Sequence, residues 1–156
     1  VIYEHSIAFN VIPYIGPIED SGYCEEETKL IQELRKVLEL PELPVLATTV
    51  RVPVFNCHSE SVSVLLKKSA SLDEIRTLLM KGKAPLYYSD DRRKEFPTPR
   101  TATGTREVHM SRLRFLNGAK NGKWLQFWNL ADNLKKGAAT NAVQILECLL
   151  ERRASH

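Results

Sequence analysis

Arg51 and His58 stand together in R-V-P-V-F-N-C-H-S, seven residues apart. An arginine offers a planar fork of donors that matches a carboxylate, and a histidine can pass a proton near neutral pH. On an unbroken strand, residues seven apart point to opposite faces, so bringing both to one ligand requires a bend or bulge around residues 53–56, where Pro53 lies. The plain alternative is a surface arginine and a loop histidine satisfied by backbone groups. Glu26 and Lys29, three apart in E-E-E-T-K, share one helix face and could hold a ligand carrying both charges. Most such pairs are solvated helix faces, and that alternative stays open here. Cys57 adjoins His58, and a neighbouring imidazolium could make it a nucleophile; adjacent strand side chains diverge, however, so a small packing residue is the better reading.

The third segment with chemical content is D-N-L-K-K-G-A-A-T-N-A-V-Q-I at 132–145. Its small residues Gly137, Ala138 and Ala139 permit close approach of a backbone or a flat ring. A helix beginning here would offer unpaired N–H groups to an anion or amide. The bland counterpart is a small-residue helix packed tightly on a sheet. Neither a G-x-G-x-x-G fingerprint nor a P-loop pattern occurs, so a nucleotide-binding fold is not encoded in these residues. His5, His109 and His156 lack partners at ligand spacing, and no metal site is expected.

The elements that must position these residues follow from periodicity. Residues 6–12 read as a strand running into a loop at Pro13, Gly16 and Pro17, and residues 45–54 read as a second strand. Between them Leu30, Ile31, Leu34, Val37 and Leu38 mark a helix, with Glu25, Glu26 and Glu27 in its first turn and Pro41 and Pro44 beyond its end. Residues 61–67 read as the next strand. Ser71-Leu-Asp-Glu74 is a capping box opening a short amphipathic helix that Gly82 stops. Residues 87–105 suit a long surface excursion. Strands at 107–116 and 123–130 flank N-G-A-K-N-G, whose Asn-Gly pairs suit a hairpin.

A final helix is expected over residues 133–153, with Ala138, Ala142, Ile145 and Leu149 on one face and Ala139, Val143, Leu146 and Leu150 beside them. Its wide apolar stripe must be exposed or covered by another domain or chain. Together these predict one α+β domain over residues 1–156: a mixed, mainly antiparallel sheet with helices on one face.

The chain has 156 residues, 43% of them hydrophobic and 26% charged, which suits a globular domain with a core. Its 22 basic and 19 acidic residues leave a net charge of +3, too small and too mixed to suggest nucleic acid. No apolar run is long enough for a membrane span and no signal peptide stands at Val1, so a cytoplasmic location is expected. Three widely spaced cysteines read as free thiols. The first residue is not methionine, which suggests a fragment or a processed product.

Taken jointly, F-N-V-I-P at 9–13, E-E-T-K at 26–29, R-V-P-V-x-x-x-H-S-E-S-V at 51–62, F-P-T-P at 96–99, S-R-L-R at 111–114 and the 132–145 segment resemble the aspartate-semialdehyde dehydrogenases. They occur in that family's order over nearly the whole chain. The resemblance implies a domain like the second domain of glyceraldehyde-3-phosphate dehydrogenase, one that binds substrate and forms a homodimer. It also implies NADP as cofactor and aspartyl phosphate or aspartate semialdehyde as the small-molecule substrate, within the biosynthesis of lysine, threonine and methionine.

Carried over by position, Arg51 would clamp the substrate carboxylate, Glu26 its amino group, and Lys29 would serve the phosphate site. His58 would be the general acid/base, and Asn133 would lie near the nicotinamide. The family's glycine-rich loop and its cysteine in an S-N-P-N-C-like context are not among these residues, so the chain alone is expected to be inactive. The terminal helix would then pack on the missing nucleotide-binding domain. The family's G-R-I-R is Ser111-Arg-Leu-Arg114 here, and N-G-A-K-N-G lengthens the hairpin. Two other readings remain: a catalytically silent paralogue or isolated dimerisation module, and a reductase for another acyl phosphate.

Overall fold

A computed structural model describes residues 3–82, 86–89, 96–117 and 122–154. They fall into two compact units, Val1–Val54 and Phe55–His156, each treated separately below.

The first unit holds one helix, α1 (Glu25–Val37), with three glutamates in its first turn and Arg35 and Lys36 in its last, the charge order that the helix dipole favours. Glu27 is the structural member of the acidic trio. Its two carboxylate oxygens accept the N–H of Cys24 at 3.0 Å and of Thr49 at 2.7 Å, which ties the start of α1 to the extended 43–51 segment. Those two bonds hold its carboxyl below the usual range, Cys24 contributing most.

The helix ends before the prolines. Glu39, at φ +55°, occupies a left-handed position, while the N–H groups of Glu39 and Leu40 reach back to the carbonyls of Lys36 and Arg35. That is a Schellman stop with a glutamate where glycine is usual. The strands expected at 6–12 and 45–54 are not strands. Among the described residues the two segments share a single isolated antiparallel bridge, Ile12 with Arg51. Residues 43, 45, 47, 49 and 51 are half-buried in alternation, as a strand would be, yet a ladder needs a neighbour along its whole length and these segments meet at a single residue.

The second unit is built on a four-stranded sheet in the order β1-β4-β3-β2, with β1 (His58–Leu65), β2 (Leu86–Tyr88), β3 (Val108–Phe115) and β4 (Trp124–Ala131). The β1–β4 and β3–β4 pairs are antiparallel and β2–β3 is parallel, the mixed α+β architecture expected from the sequence. Strand β2 lies where the sequence suggested only a surface excursion. Residues 90–95 of that excursion, and the hairpin tip at 118–121, lie outside the described residues.

Between Ser111 and Arg114 the β3–β4 register shifts, and Arg112 sits at φ +55°. This is a β-bulge, directly after Ser111. Helix α2 (Leu72–Lys81) opens with the predicted capping box, Ser71 Oγ accepting from Glu74 N–H and the Glu74 carboxylate accepting from Ser71 N–H. Its Ile75, Leu78 and Leu79 line an open apolar depression with Leu66, Ala70 and Leu125. A short helix, α3 (Pro99–Ala102), supplies Ala102 to a core cluster with Cys57 and Leu130, against which Trp128 packs.

The terminal helix differs from its expected form. Residues Lys135–Ala139 form a π-helical turn with non-helical φ/ψ at Ala138, and the α-helix proper, α4, spans Thr140–Ala154. The Asp132 carbonyl accepts the N–H groups of Lys135, Lys136 and Gly137, the last of these five residues on, which is the spacing of a π-turn. The expected apolar exposure is present: Val143, Ile145, Leu146, Leu149 and Leu150 are each more than half exposed.

Candidate functional site

In the first unit, Glu26 and Lys29 meet on one face of α1, Nζ to Oε2 at 3.6 Å, both partly exposed. The helical spacing that suggested the pair is the reason they touch. Arg51 is fixed through its backbone, exchanging both N–H···O bonds with Ile12 at 2.8 and 3.0 Å. Its guanidinium lies 4.9 Å from the centroid of the Tyr3 ring, a cation–π contact, and no carboxylate pairs with it among the described residues. A stacked, unpaired guanidinium keeps its planar fork available to an anion.

In the second unit, His58 is the first residue of β1, exposed, with its Cα opposite Ala131 of β4. The chain bends at Pro53 and again at Phe55 and Asn56 before Cys57 adopts φ +74°. The bend expected between Arg51 and His58 is therefore present. Cys57 itself is buried in the core cluster, its Sγ 3.5 Å from the Pro99 carbonyl and 3.9 Å from Thr103 Oγ1. Burial pushes its thiol pKa up, and the carboxylate of Asp132 adds to the rise. A thiol held protonated in packing suits the structural role read from the sequence.

Asn133 makes a contact that the sequence did not suggest. Its Oδ1 accepts the Cys57 N–H at 2.9 Å, across 76 residues of chain. Asp132, buried beside it, is equally committed: Oδ2 accepts the Gly104 N–H at 2.7 Å, and Oδ1 accepts those of Leu134 at 2.8 Å and Lys135 at 3.1 Å. The Gly104 bond does most to hold this carboxyl below the ordinary range.

The Asp132 backbone carbonyl accepts from Lys135, Lys136 and Gly137. The free N–H groups expected at the start of the last helix are thus already taken, so no anion cradle is left there. Lys136 Nζ turns inward along the same helix, to Asn141 Oδ1 at 2.9 Å and Gln144 Oε1 at 2.7 Å. An aspartate before a helix is a recognisable capping signal; the partner of Asn133 is not, because it lies 76 residues away in the turn before β1.

Among the described residues no group of three or more His, Cys, Asp or Glu could hold a metal ion, and no helix is long and apolar enough to cross a membrane.

Comparison with known proteins sets these residues in a family. Residues 2–136 match the family model described as semialdehyde dehydrogenase, dimerisation domain. The chain is 40% identical to the aspartate-semialdehyde dehydrogenase of Aquifex aeolicus over 149 residues, 96% of this chain and 43% of that protein. It is 39% identical to that of Bacillus subtilis over 147 residues, 94% of this chain and 42% of that protein. Among solved structures, aspartate semialdehyde dehydrogenase II from Vibrio cholerae, complexed with ASA, superposes at TM-score 0.83 with 36% identity, covering 96% of this chain and 43% of its own. The chain therefore spans less than half the length of these relatives. With a family model matched along most of its residues and a shared fold, the chain belongs to the semialdehyde dehydrogenase dimerisation-domain family.

Proposed function

We propose that this chain is the substrate-binding and dimerisation part of an NADP-dependent aspartate-semialdehyde dehydrogenase, a cytoplasmic homodimer of amino-acid biosynthesis. The observation that carries the reading is Arg51: an arginine held by its backbone and stacked on Tyr3, with no carboxylate partner among the described residues, in a chain whose relatives bear that enzyme's name. A buried or stacked guanidinium without a counterion is a ready receptor for a substrate carboxylate. Glu26 takes the substrate's ammonium group, and Lys29, released from Glu26, takes phosphate oxygens.

In the reductive direction a cysteine thiolate attacks the acyl phosphate carbonyl and phosphate leaves, forming a thioester. NADPH, when bound, would supply the hydride that takes the thioester to a hemithioacetal, whose collapse would release the aldehyde and the thiolate. His58 takes the thiol proton at the start and manages the proton on the hemithioacetal oxygen at the end. Asn133 would be one of the residues that hold the nicotinamide end of the cofactor. The nucleophile is not one of the three cysteines seen here: Cys24 and Cys57 are buried, and Cys148 sits on α4.

The test is Arg51→Leu and Glu26→Ala in the whole enzyme. Loss of a charge-assisted hydrogen bond of about 1.5–3 kcal/mol corresponds to a rise of roughly ten- to 150-fold in KM for aspartate semialdehyde. Arg51→Leu should weaken any acyl phosphate, whereas a substrate without a free amine is indifferent to Glu26→Ala. Unchanged kinetics in both variants would remove the clamp.

A further inference from the structure

The backbone that delivers His58 is held in an unusual state. Cys57, a residue with a Cβ, stands at φ +74°, in the left-handed region that side chains other than glycine rarely occupy. Such a conformation persists only where the surroundings hold it. Packing contributes, since Cys57 is buried among Ala102 and Leu130. The directional restraint is the hydrogen bond from the Cys57 N–H to Asn133 Oδ1 at 2.9 Å. His58 is the next residue, and its Cα is opposite Ala131, two positions before Asn133, so both ends of this bond lie at the same end of the β1–β4 pair. Asn133 is in turn fixed by its neighbour, because Asp132 ties the Gly104, Leu134 and Lys135 amides.

The donor on Cys57 also fixes the orientation of the asparagine amide. A backbone N–H can only donate, so the side chain must present its oxygen. Its NH2 group, which makes no hydrogen bond among the described residues, is left to donate elsewhere.

We propose that Asn133 is a positioning residue for His58: through the Cys57 N–H it holds the left-handed turn that sets the imidazole. The inference rests on the acid/base reading of His58 given above. Removing the acceptor frees Cys57 to relax to negative φ, which rotates the peptide leading into His58. Displacement of a catalytic group by about 1 Å costs on the order of a hundredfold in rate.

The experiment compares His58→Ala, Asn133→Ala, Asn133→Ala with Cys57→Gly, and Asn133→Asp in the whole enzyme, with amide exchange at residue 57 followed by NMR in the chain itself. In Asn133→Ala, kcat should fall roughly ten- to a hundredfold, the limb of the pH profile that His58 sets should move, and Cys57 amide protection should be lost. Glycine adopts φ +74° without strain, so Cys57→Gly in the same background should recover much of the lost kcat. Asn133→Asp keeps an acceptor for the Cys57 N–H, so residue 57 should stay protected. Should Asn133→Ala fail to fold, the aspartate variant decides: an exchanging Cys57 amide there overturns the inference. A crippled His58→Ala beside an Asn133→Ala with unchanged pH profile and unchanged protection overturns the positioning role and leaves the acid/base reading standing. If His58→Ala keeps full kcat, the acid/base reading fails, and the positioning role with it.

Discussion

Truncating Leu130 to alanine tests whether the small cluster beneath β1 carries the second unit. Leu130 is 1% exposed and packs with Cys57, Ala102 and Trp128. Removing three carbons forfeits about 0.8 kcal/mol of burial for each, and a cavity left unrelaxed adds to that, so a loss of about 3 kcal/mol is expected. For a chain of this length each kcal/mol lowers Tm by roughly 2–4 °C, giving a drop of about 6–12 °C. Urea unfolding followed by tryptophan fluorescence suits the measurement, because one of the chain's two tryptophans, Trp128, touches the cluster. Leu78→Ala is the control: that side chain is 70% exposed, and its truncation should stay within about 0.5 kcal/mol. Equal losses from the two variants, or less than about 1 kcal/mol from Leu130→Ala, would refute the assignment of the core. Because Cys57 belongs to the same cluster, a loosened interior should also reach the turn that carries His58.

Two further outcomes are expected. His109 is buried, with Nε2 2.8 Å from Thr105 Oγ1, Nδ1 without a partner among the described residues, and the Tyr87 ring beside it; burial lowers its pKa, against a smaller upward pull from Glu107. As pH falls below the free value of about 6.5, the unfolded chain takes up this proton before the folded one does, so stability should decline in that window, level off below the folded pKa, and lose that slope in His109→Phe, as read from urea midpoints. Glu39→Gly should raise Tm, since glycine occupies the left-handed stop of α1 about 1 kcal/mol more easily; an unchanged or lower Tm would count against the Schellman assignment.

The sequence carried the regular elements well, and for identifiable reasons. Helices α1 and α2 announce themselves by three- and four-residue spacing and by charges or caps at their first turns. Strands β1, β3 and β4 show alternation, and β3 and β4 flank the two Asn-Gly pairs. What was not legible depends on distant partners. Residues 45–54 have the valines of a strand and even its alternating burial, but whether a ladder forms is decided by what lies alongside, and only Ile12 reaches Arg51. Strand β2 is three residues of parallel pairing, too short for a periodic signal.

Among site residues, the Glu26–Lys29 contact followed from spacing alone, and Pro53 correctly signalled the bend before His58. The tie between Asn133 and Cys57 could not be read, because nothing local marks a cysteine as left-handed or pairs it with an asparagine 76 positions away. The terminal segment misled in a different way. Gly-Ala-Ala reads as helix, yet the capping carbonyl and carboxylate of Asp132 draw in the same amides and leave a π-turn before Thr140.

The bulge in β3 makes the strand's two halves obey opposite parity. Ser111 is opposite Trp128 and Arg114 is opposite Gln126, so two residues of β3 are spent where β4 spends one. Arg114 thereby shares a side of the sheet with Ser111, and Phe115 with Met110. Deleting either residue 112 or residue 113 would remove the bulge and leave Arg114 opposite Gln126 and Phe115 opposite Leu125, each on the side it already occupies. A one-residue loss at the bulge is therefore compatible with the pairing on either side of it, whereas the same loss from the regular stretch 108–111 would carry the side chains on one side of the gap to the opposite side of the sheet.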